Sequence, residues 1–477
     1  MAGETSSGTT KEAQTQSISI QPSTLESKFN TVKEAEENAK NQSTTPKIQK
    51  VIFLLRDQKD FEKYYEPRVA SLGPIHHGKE KYKLGEKYKL VLTSEFVKGS
   101  GKDIKDLYKK IEQNINDLRN CFEEEVTKKY DDETLAWLLF VDGCAILQYI
   151  YCATKNKFNE LNIKTDSVAF AQQDLFLLEN QLPYRLLKSL MSLSKMGNEL
   201  KESIETYIAS HDMVPDNQRS KQKAKDKKGE SLHSISMEED PVHLLDRLRT
   251  CILGKPKPNF NIIPNKNTDQ DWQSYRNVQE LKAAGIHLRR SSNSCLSNIS
   301  FTIQYVFLGY LYLPPIIVDD STRPKFLNLI AYEMCLDFKN DFGVTSYIAF
   351  LDSLIDEPND VKKLRKARVL HNFLGSDEEV ANLFNEIGTD LVPNPETYKD
   401  VKVKIQKFYD TKCTTWIAQF FHDHFSSPWT ILAFCGVLLG LGLTAAQTYY
   451  AIGSSGPGPC DELCKNLTKN LKTGIAK

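Results

Sequence analysis

The chain has 477 residues, and its 62 Lys and Arg residues balance its 62 Asp and Glu residues, so the formal net charge is zero. This balance excludes a strongly basic nucleic-acid-binding protein, and we predict no nucleic-acid partner. Hydrophobic residues at 40% exclude a wholly disordered chain, while 23 Gly and 19 Pro residues exclude a collagen-like architecture.

The first 46 residues are rich in Ser, Thr, Gln, Glu and Lys, and the apolar residues Leu25, Phe29 and Val32 are isolated among them. Such a segment buries too little apolar surface to offset the entropy lost on ordering, so we predict that residues 1–46 are disordered. The segment contains no apolar run typical of a secretory signal peptide.

Residues 47–425 form the predicted body of the protein, and most of this region has helical periodicity. Leu107, Ile111 and Ile115, for example, recur at four-residue spacing and define one apolar stripe. We therefore predict a mainly α fold. The ten cysteines are scattered singly and include no Cys-x-x-Cys spacing, which indicates reduced cysteines and predicts no metal or cofactor site.

Two stretches of the body depart from the helical pattern. Residues 299–318 alternate between apolar and polar side chains on either side of Gly309, which predicts a small β-hairpin with its turn at that glycine. Residues 212–241 contain a run of Lys and Arg followed by an acidic block, which predicts a charged, flexible insertion.

Residues 429–450 carry no charged side chain and, as a helix, would be about 33 Å long, which matches the hydrocarbon core of a bilayer. Trp429 at one end and Tyr449 with Tyr450 at the other are typical of the two membrane interfaces. We predict a single-pass transmembrane helix over 428–452, in contact with the lipid bilayer through residues 429–450, and a short tail over 453–477. A buried core helix is the alternative.

The predicted orientation places the body in the cytosol and the helix as a C-terminal anchor in the plasma membrane or the endoplasmic reticulum. Lysines follow the helix more closely than they precede it, which favours the opposite orientation. A glycan on the sequon at Asn298 would support that opposite orientation. Gly436 and Gly440 have the spacing of a helix-dimer motif, so both a homodimer and a purely compositional role for these glycines stay open.

Five strings of residues follow one another in a recognisable order. Their distinctive positions are Tyr65, Pro67, Ser71, Gly73, Pro74, His76, His77 and Gly78 in the first string, Asp174, Leu178, Glu179, Asn180, Gln181 and Pro183 in the second, and Gly285, Asn328, Glu333 and Asp352 in the other three. Together these strings resemble the plant family catalogued as domain of unknown function 247, over about residues 47–450.

The resemblance implies a plant protein with one C-terminal hydrophobic helix and no established biochemical activity. Because some members have been linked genetically to pollen–pistil self-incompatibility in grasses, it also suggests recognition or signalling. The charged insertion at 212–241 departs from the family pattern.

The polar residues of these strings do not form a catalytic pattern. We predict that the imidazoles of His76 and His77 bond to neighbouring backbone at a turn around Gly73. On a helix, Glu179 would lie about 140° from Asp174, so the two carboxylates would not pair for acid–base catalysis, and a structural role is favoured. We predict no catalytic residue.

The functional hypothesis is a membrane-anchored module that recruits an unknown protein partner. Two alternatives stay open. One is an undescribed enzyme that uses His76 and His77, or Asp174 and Glu179. The other is an extracellular recognition protein of the self-incompatibility type.

Overall fold

The computed structural model describes residues 25–40, 46–57, 59–161, 163, 165–215, 240–254, 277–304, 308–338, 341–410, 428–453 and 458–473. The α-helices in these ranges are α1 (Leu25–Lys40), α2 (Phe53–Arg56), α3 (Phe61–Tyr65), α4 (Lys83–Ser100), α5 (Ile104–Gln113), α6 (Ile115–Arg119), α7 (Glu124–Thr127), α8 (Asp132–Lys155), α9 (Thr165–Asp174), α10 (Tyr184–Leu193), α11 (Gly197–Ser210), α12 (Leu244–Leu253), α13 (Val278–Ala283), α14 (Thr322–Glu333), α15 (Gly343–Leu354), α16 (Pro358–Lys366), α17 (Asp377–Gly388), α18 (Lys399–Asp410), α19 (Pro428–Gly453) and α20 (Pro459–Thr473). The strands are β1 (Ile286–Arg290), β2 (Ser300–Gln304), β3 (Leu308–Leu313), β4 (Ile316–Val318) and β5 (Leu370–Asn372). The prediction of a mainly α fold is confirmed.

Helix α8 is the centre of the first half of the body. It begins where the side chain of Asp131 accepts a hydrogen bond from the backbone N–H of Thr134 (2.7 Å), and it ends at Asn156, whose φ of 55° is left-handed. Helices α4, α5, α10 and α11 pack around it. This surrounding layer explains why α8 is apolar on all its faces.

The second half of the body combines helices with two small sheets. Helix α14 packs against α3, α15 and α17, and α16 packs against α17. The first sheet has the strand order β1–β3–β2, in which β3 is parallel to β1 and antiparallel to β2. In the second sheet β4 is parallel to β5.

The predicted hairpin is confirmed as β2 and β3, but two of its details are wrong. Gly309 lies within β3 opposite Ile303, not in the turn. A Cβ atom at Gly309 would come within 2.8 Å of the Phe301 ring and 3.2 Å of the Ile286 side chain, so this position requires glycine for packing. The segment Ile316–Val318 pairs with β5 instead, after two prolines that cannot continue the β3 ladder.

Two predicted flexible regions contain ordered structure at their edges. Residues 25–40, within the segment predicted to be disordered, form α1, and every side chain described on it is exposed. The helix therefore forms from local propensity without core packing. At the predicted insertion, residues 212–215 are buried because Met213 and Val214 are apolar and the Met213 carbonyl accepts a hydrogen bond from Ile317 N (2.8 Å). Residues 216–239 lie outside the described ranges.

Two helices in the described ranges are long and apolar enough to cross a bilayer, and they differ in burial. Asp132–Lys155 has a mean hydropathy of 1.6, and 89% of its most apolar window is buried. Leu432–Ile452, within α19, has a mean hydropathy of 1.5, and none of its window is buried. Among the described residues, α8 is therefore a buried core helix, whereas the apolar window of α19 is exposed.

Candidate functional site

The first two motif strings lie against each other and are joined by the carboxylate of Asp174. Its two oxygens accept hydrogen bonds from the backbone N–H groups of Arg68 (2.9 Å), Val69 (2.8 Å) and Ala70 (2.9 Å). Burial raises the pKa of Asp174, and these three donors oppose that rise. The carboxylate therefore fixes the loop that carries the first string.

The amides of Asn180 and Gln181 are also used by backbone groups. Asn180 accepts from Leu72 N (2.6 Å) and donates to the carbonyl oxygens of Ala70 (3.0 Å) and Asp174 (2.8 Å). Gln181 donates to two carbonyl oxygens of its own segment and accepts from Leu245 N (3.0 Å). These side chains provide hydrogen-bond partners for backbone N–H and carbonyl groups in a stretch of chain that lacks regular backbone pairing.

The assumption of one continuous helix through Asp174 and Glu179 is wrong. Asp174 is the last residue of α9, and Leu178–Asn180 form a short 3-10 turn. The side chains of Asp174 and Glu179 bind different parts of the chain, so they do not form a carboxylate pair.

Glu179 is only 2% exposed and contacts three groups from the N-terminal part of the body. It accepts a hydrogen bond from Val51 N (2.8 Å), forms an ion pair with Arg56, and has Oε2 3.0 Å from His76 Nε2. The His76 ring is not aligned for a hydrogen bond at that distance, and its Nδ1 has no partner among the described residues. His76 is only 3% exposed, and the cluster reaches solvent through Arg56, whose side chain is 35% exposed.

The two adjacent histidines point to different surroundings. His76 faces Glu179, whereas the His77 ring meets the ring of Tyr130 edge to face, with centroids 6.3 Å apart. Neither nitrogen of His76 has a hydrogen-bond partner among the described residues, so the predicted bond to neighbouring backbone is wrong for His76. The structure describes no group of three His, Cys, Asp or Glu residues that could hold a metal ion.

A buried ion pair beneath the first string was missed by sequence reasoning. Lys89 Nζ lies 2.5 Å from Asp142 Oδ1 and also donates to the Ser71 carbonyl oxygen (2.8 Å). Asp142 Oδ2 accepts from Gly73 N (2.8 Å), and burial raises the pKa of the Asp142 carboxyl. One signal was available: Asp142 is the only charged residue of α8 between Glu133 and Lys155.

The fourth string, which includes Asn328 and Glu333, joins helix α14 to neighbouring segments of the body. Asn328 accepts from Leu178 N (2.8 Å) and donates to the Tyr64 carbonyl oxygen (2.8 Å), so α14 is joined to the second string and to the residue that precedes the first string. Glu333 accepts from Val344 N (2.9 Å) and Thr345 N (2.8 Å) at the start of α15.

The remaining motif positions have packing and turn roles. Gly73, Gly78 and Gly285 have positive φ, and Tyr65 and Leu178 are buried. The carbonyl oxygen of Pro67 accepts a hydrogen bond from the hydroxyl of Tyr82, and that of Pro74 accepts one from the hydroxyl of Tyr130. Pro183 directly precedes α10, and the Asp352 carboxyl packs against Gly388.

The outer face of the three-stranded sheet was also missed, because β1 was not predicted. His287 and Arg289 on β1 lie beside Tyr310 and Tyr312 on β3, and the Arg289 guanidinium stacks 3.8 Å from the centroid of the Tyr310 ring. None of the three strands contains an acidic residue. This outer sheet face therefore combines the Arg289 cation with aromatic rings, while burial, Lys282 and Arg289 lower the pKa of His287.

The described surface of α19 carries no charged residue and is mostly apolar, with Thr444, Gln447 and Thr448 in its second half. Leu439, near the middle of the helix, is 69% exposed, and Trp429 and Tyr450 are exposed at opposite ends. Among the described residues, no atom lies within 4 Å of the position that a Cβ would take at Gly436 or Gly440, so the described chain leaves that side of the helix open.

Comparisons with known proteins confirm the resemblance. The profile of DUF247, described as a plant protein of unknown function, matches residues 48–443. The UPF0481 protein At3g47200 of Arabidopsis thaliana is 28% identical over 425 residues, covering 82% of this chain and 83% of the relative. The putative UPF0481 protein At3g02645 of the same plant is 21% identical over 473 residues, covering 82% and 88%. No solved structure matches the chain.

Proposed function

Because the chain belongs to the DUF247 family of plant proteins of unknown function, we propose that it is a single-pass membrane protein whose helical body binds a protein partner at the membrane face. The lipid bilayer and one acidic protein are the partners in this proposal. Each is supported by a different exposed surface.

The observation that carries the proposal is that, among the described residues, none of the apolar window of α19 is buried. Helix α8 has a similar hydropathy and is covered by protein, whereas the described side chains of α19 are exposed. Exposing many large apolar side chains to water costs about 1.5–3 kcal/mol for each of them. A lipid environment removes that cost and also suits Trp and Tyr at the two helix ends.

The cytosolic orientation of the body is supported by its thiols. The six cysteines at 121, 144, 152, 251, 295 and 335 are free in the structure, as is common in a reducing compartment. The amide nitrogen of Asn298, to which a glycan would attach, instead donates a hydrogen bond to Ser291 Oγ (2.8 Å). Both observations weigh against the extracellular alternative.

We propose that the protein partner binds the outer sheet face, and the charge and composition of that face support this proposal. Tyr and Arg are enriched among the residues that contribute most to protein interfaces. A face that carries His287, Arg289 and two tyrosines but no acidic residue is complementary to an acidic segment of another protein.

The enzyme alternative has weaker support. His76 and Glu179 are almost completely buried, and the Asp174 carboxylate accepts hydrogen bonds from three backbone N–H groups. A substrate could reach these groups only if the loop that they hold were displaced.

Alkaline carbonate extraction of the full chain, expressed in plant cells, tests the anchor. We expect the protein to stay in the membrane pellet, and Leu439→Arg to release a large share of it, since arginine at a helix centre costs about 2.5–3.5 kcal/mol on insertion. Leu336→Arg, at a position that is 85% exposed on the body, is the matched control and should behave as wild type. Quantitative release of the wild-type protein would contradict the proposal.

A further inference from the structure

Helix α20 has an apolar side and a charged side. At 100° per residue, Cys460, Leu463, Cys464 and Leu467 fall within an arc of about 100°. Lys465 and Lys469 lie about 140° and 180° from Cys460, on the opposite side of the helix. The side chains of Leu463 and Leu467 are exposed, so nothing in the described part of the chain covers the apolar arc.

The position of α20 in the chain places this apolar arc near the end of α19. Only five residues separate Gly453 from Pro459. Even fully extended, the connection from Gly453 to Pro459 reaches about 20 Å. The helix therefore stays within reach of the surface of any bilayer that α19 spans.

The short connection between α19 and α20 compensates for the small area of the apolar arc. Two leucines and two thiols offer too little apolar area for strong binding by an independent helix. When α19 holds α20 next to the surface, docking becomes an intramolecular event, with an effective concentration on the order of millimolar.

We propose that α20 lies along the bilayer surface, with Leu463 and Leu467 at the boundary between headgroups and acyl chains and Lys465 and Lys469 facing the lipid phosphates and water. This inference rests on the proposed membrane anchor. It extends the lipid contact of the protein from one spanning helix to a spanning helix followed by an interfacial helix.

The test is thiol accessibility in full-length protein reconstituted into phosphatidylcholine nanodiscs at one chain per disc. Single cysteines are introduced as Leu463→Cys, Lys465→Cys, Leu467→Cys and Lys469→Cys in a background with Cys460→Ser and Cys464→Ser. A membrane-impermeant maleimide reacts with each variant, and mass spectrometry of the tail peptide reads the rate, so body thiols do not interfere.

Each rate is divided by the rate of the same tail peptide after protease release from the disc, which removes differences in intrinsic thiol reactivity. We expect the ratios at positions 463 and 467 to be at least fivefold lower than those at 465 and 469. Equal ratios at the four positions in discs that contain the protein would overturn the inference and leave the anchor intact.

Two further outcomes would also overturn the inference, and they differ in what they say of the anchor. If the chain does not enter nanodiscs, the anchor fails together with the interfacial helix. If protection of positions 463 and 467 is seen only at two chains per disc, the apolar arc is covered by a second copy of α20 and not by lipid.

Discussion

Buried carboxylates in this protein bind backbone N–H groups far away in the sequence. Asp174 and Glu179 each accept at least one such bond, and Asp142 accepts from Gly73 N. A carboxylate that accepts several backbone donors can hold a loop at one place, because an unpaired buried donor costs about 1–3 kcal/mol. These residues therefore account for how irregular segments are kept in a helical body.

The substitution Asp174→Asn tests this role. The asparagine side chain would keep one acceptor oxygen, and its NH2 group would face a backbone N–H that then has no acceptor. We expect the free energy of unfolding to fall by about 2 kcal/mol, measured by chemical denaturation. The control is Asp240→Asn, at an exposed position, which removes a surface ion pair with Lys188. It should change the free energy of unfolding by less than about 0.5 kcal/mol. Equal effects of the two substitutions would contradict the role.

His243 gives the fold a pH dependence. Its Nδ1 accepts from Asp246 N (3.0 Å) at the start of α12, its Nε2 has no partner among the described residues, and complete burial lowers its pKa to about 4. Since this pKa lies below the value of about 6.5 for an unfolded His, unfolding takes up a proton between these two pH values. The stabilisation is present above about pH 6.5 and is lost as the pH falls toward about 4.

We expect His243 to contribute a slope of about 1.4 kcal/mol per pH unit between about pH 6.5 and 4, or about 3 kcal/mol in full. His243→Asn keeps a side-chain acceptor for Asp246 N but does not titrate. Chemical denaturation of the wild type and of the His243→Asn variant across this pH range measures the contribution of His243 as the difference between their stability curves. Parallel stability curves for wild type and variant would show that His243 is not the titrating group.

At the scale of elements, the two long apolar helices should respond oppositely to the same substitution. Leu147→Arg places a charge in the core around α8, so we expect the body to unfold, because an uncompensated buried charge costs about 3–5 kcal/mol. Leu439→Arg in α19 should leave the unfolding free energy of the body unchanged within about 0.5 kcal/mol in detergent. Loss of body stability in the α19 variant would mean that α19 packs on the body.

The outer sheet face makes a prediction about partner binding. A photo-cross-linking residue at Thr302, which is exposed next to Tyr310, should give a discrete protein adduct in plant membranes. Arg289→Glu should remove the adduct, because it replaces the cation that is complementary to an acidic partner. Arg185→Glu, on the exposed side of α10, is the charge-matched control. An adduct that survives Arg289→Glu, or is equally lost with Arg185→Glu, would contradict the assignment.

Sequence patterns predicted the elements that depend on local periodicity. The apolar stripe through Leu107 and Ile111 lies on helix α5, and the segments that alternate between apolar and polar residues form β2 and β3. They did not predict β1 or the position of Gly309, because both depend on what packs against them: β3 pairs with β1, and the Phe301 ring occupies the space over Gly309. For the same reason, the link between Asp142 and Lys89 could not be inferred from spacing, since 53 residues separate them.

At the scale of the whole molecule, the described residues form a body with its own core and an apolar helix, α19, whose apolar window is exposed. The body uses its buried polar groups to hold itself together and leaves a basic, aromatic sheet face exposed. This division of roles fits an anchored binding module and requires no chemistry at the motif residues.

The central claim is that α19 contacts lipid and α8 does not. Diazirine-labelled phospholipids, photolysed in membranes that contain the full chain, measure this contact residue by residue when adducts are mapped by mass spectrometry. We expect adducts within Leu432–Ile452 and none within Asp132–Lys155. An α19 without adducts, or equal labelling of the two helices, would contradict the account.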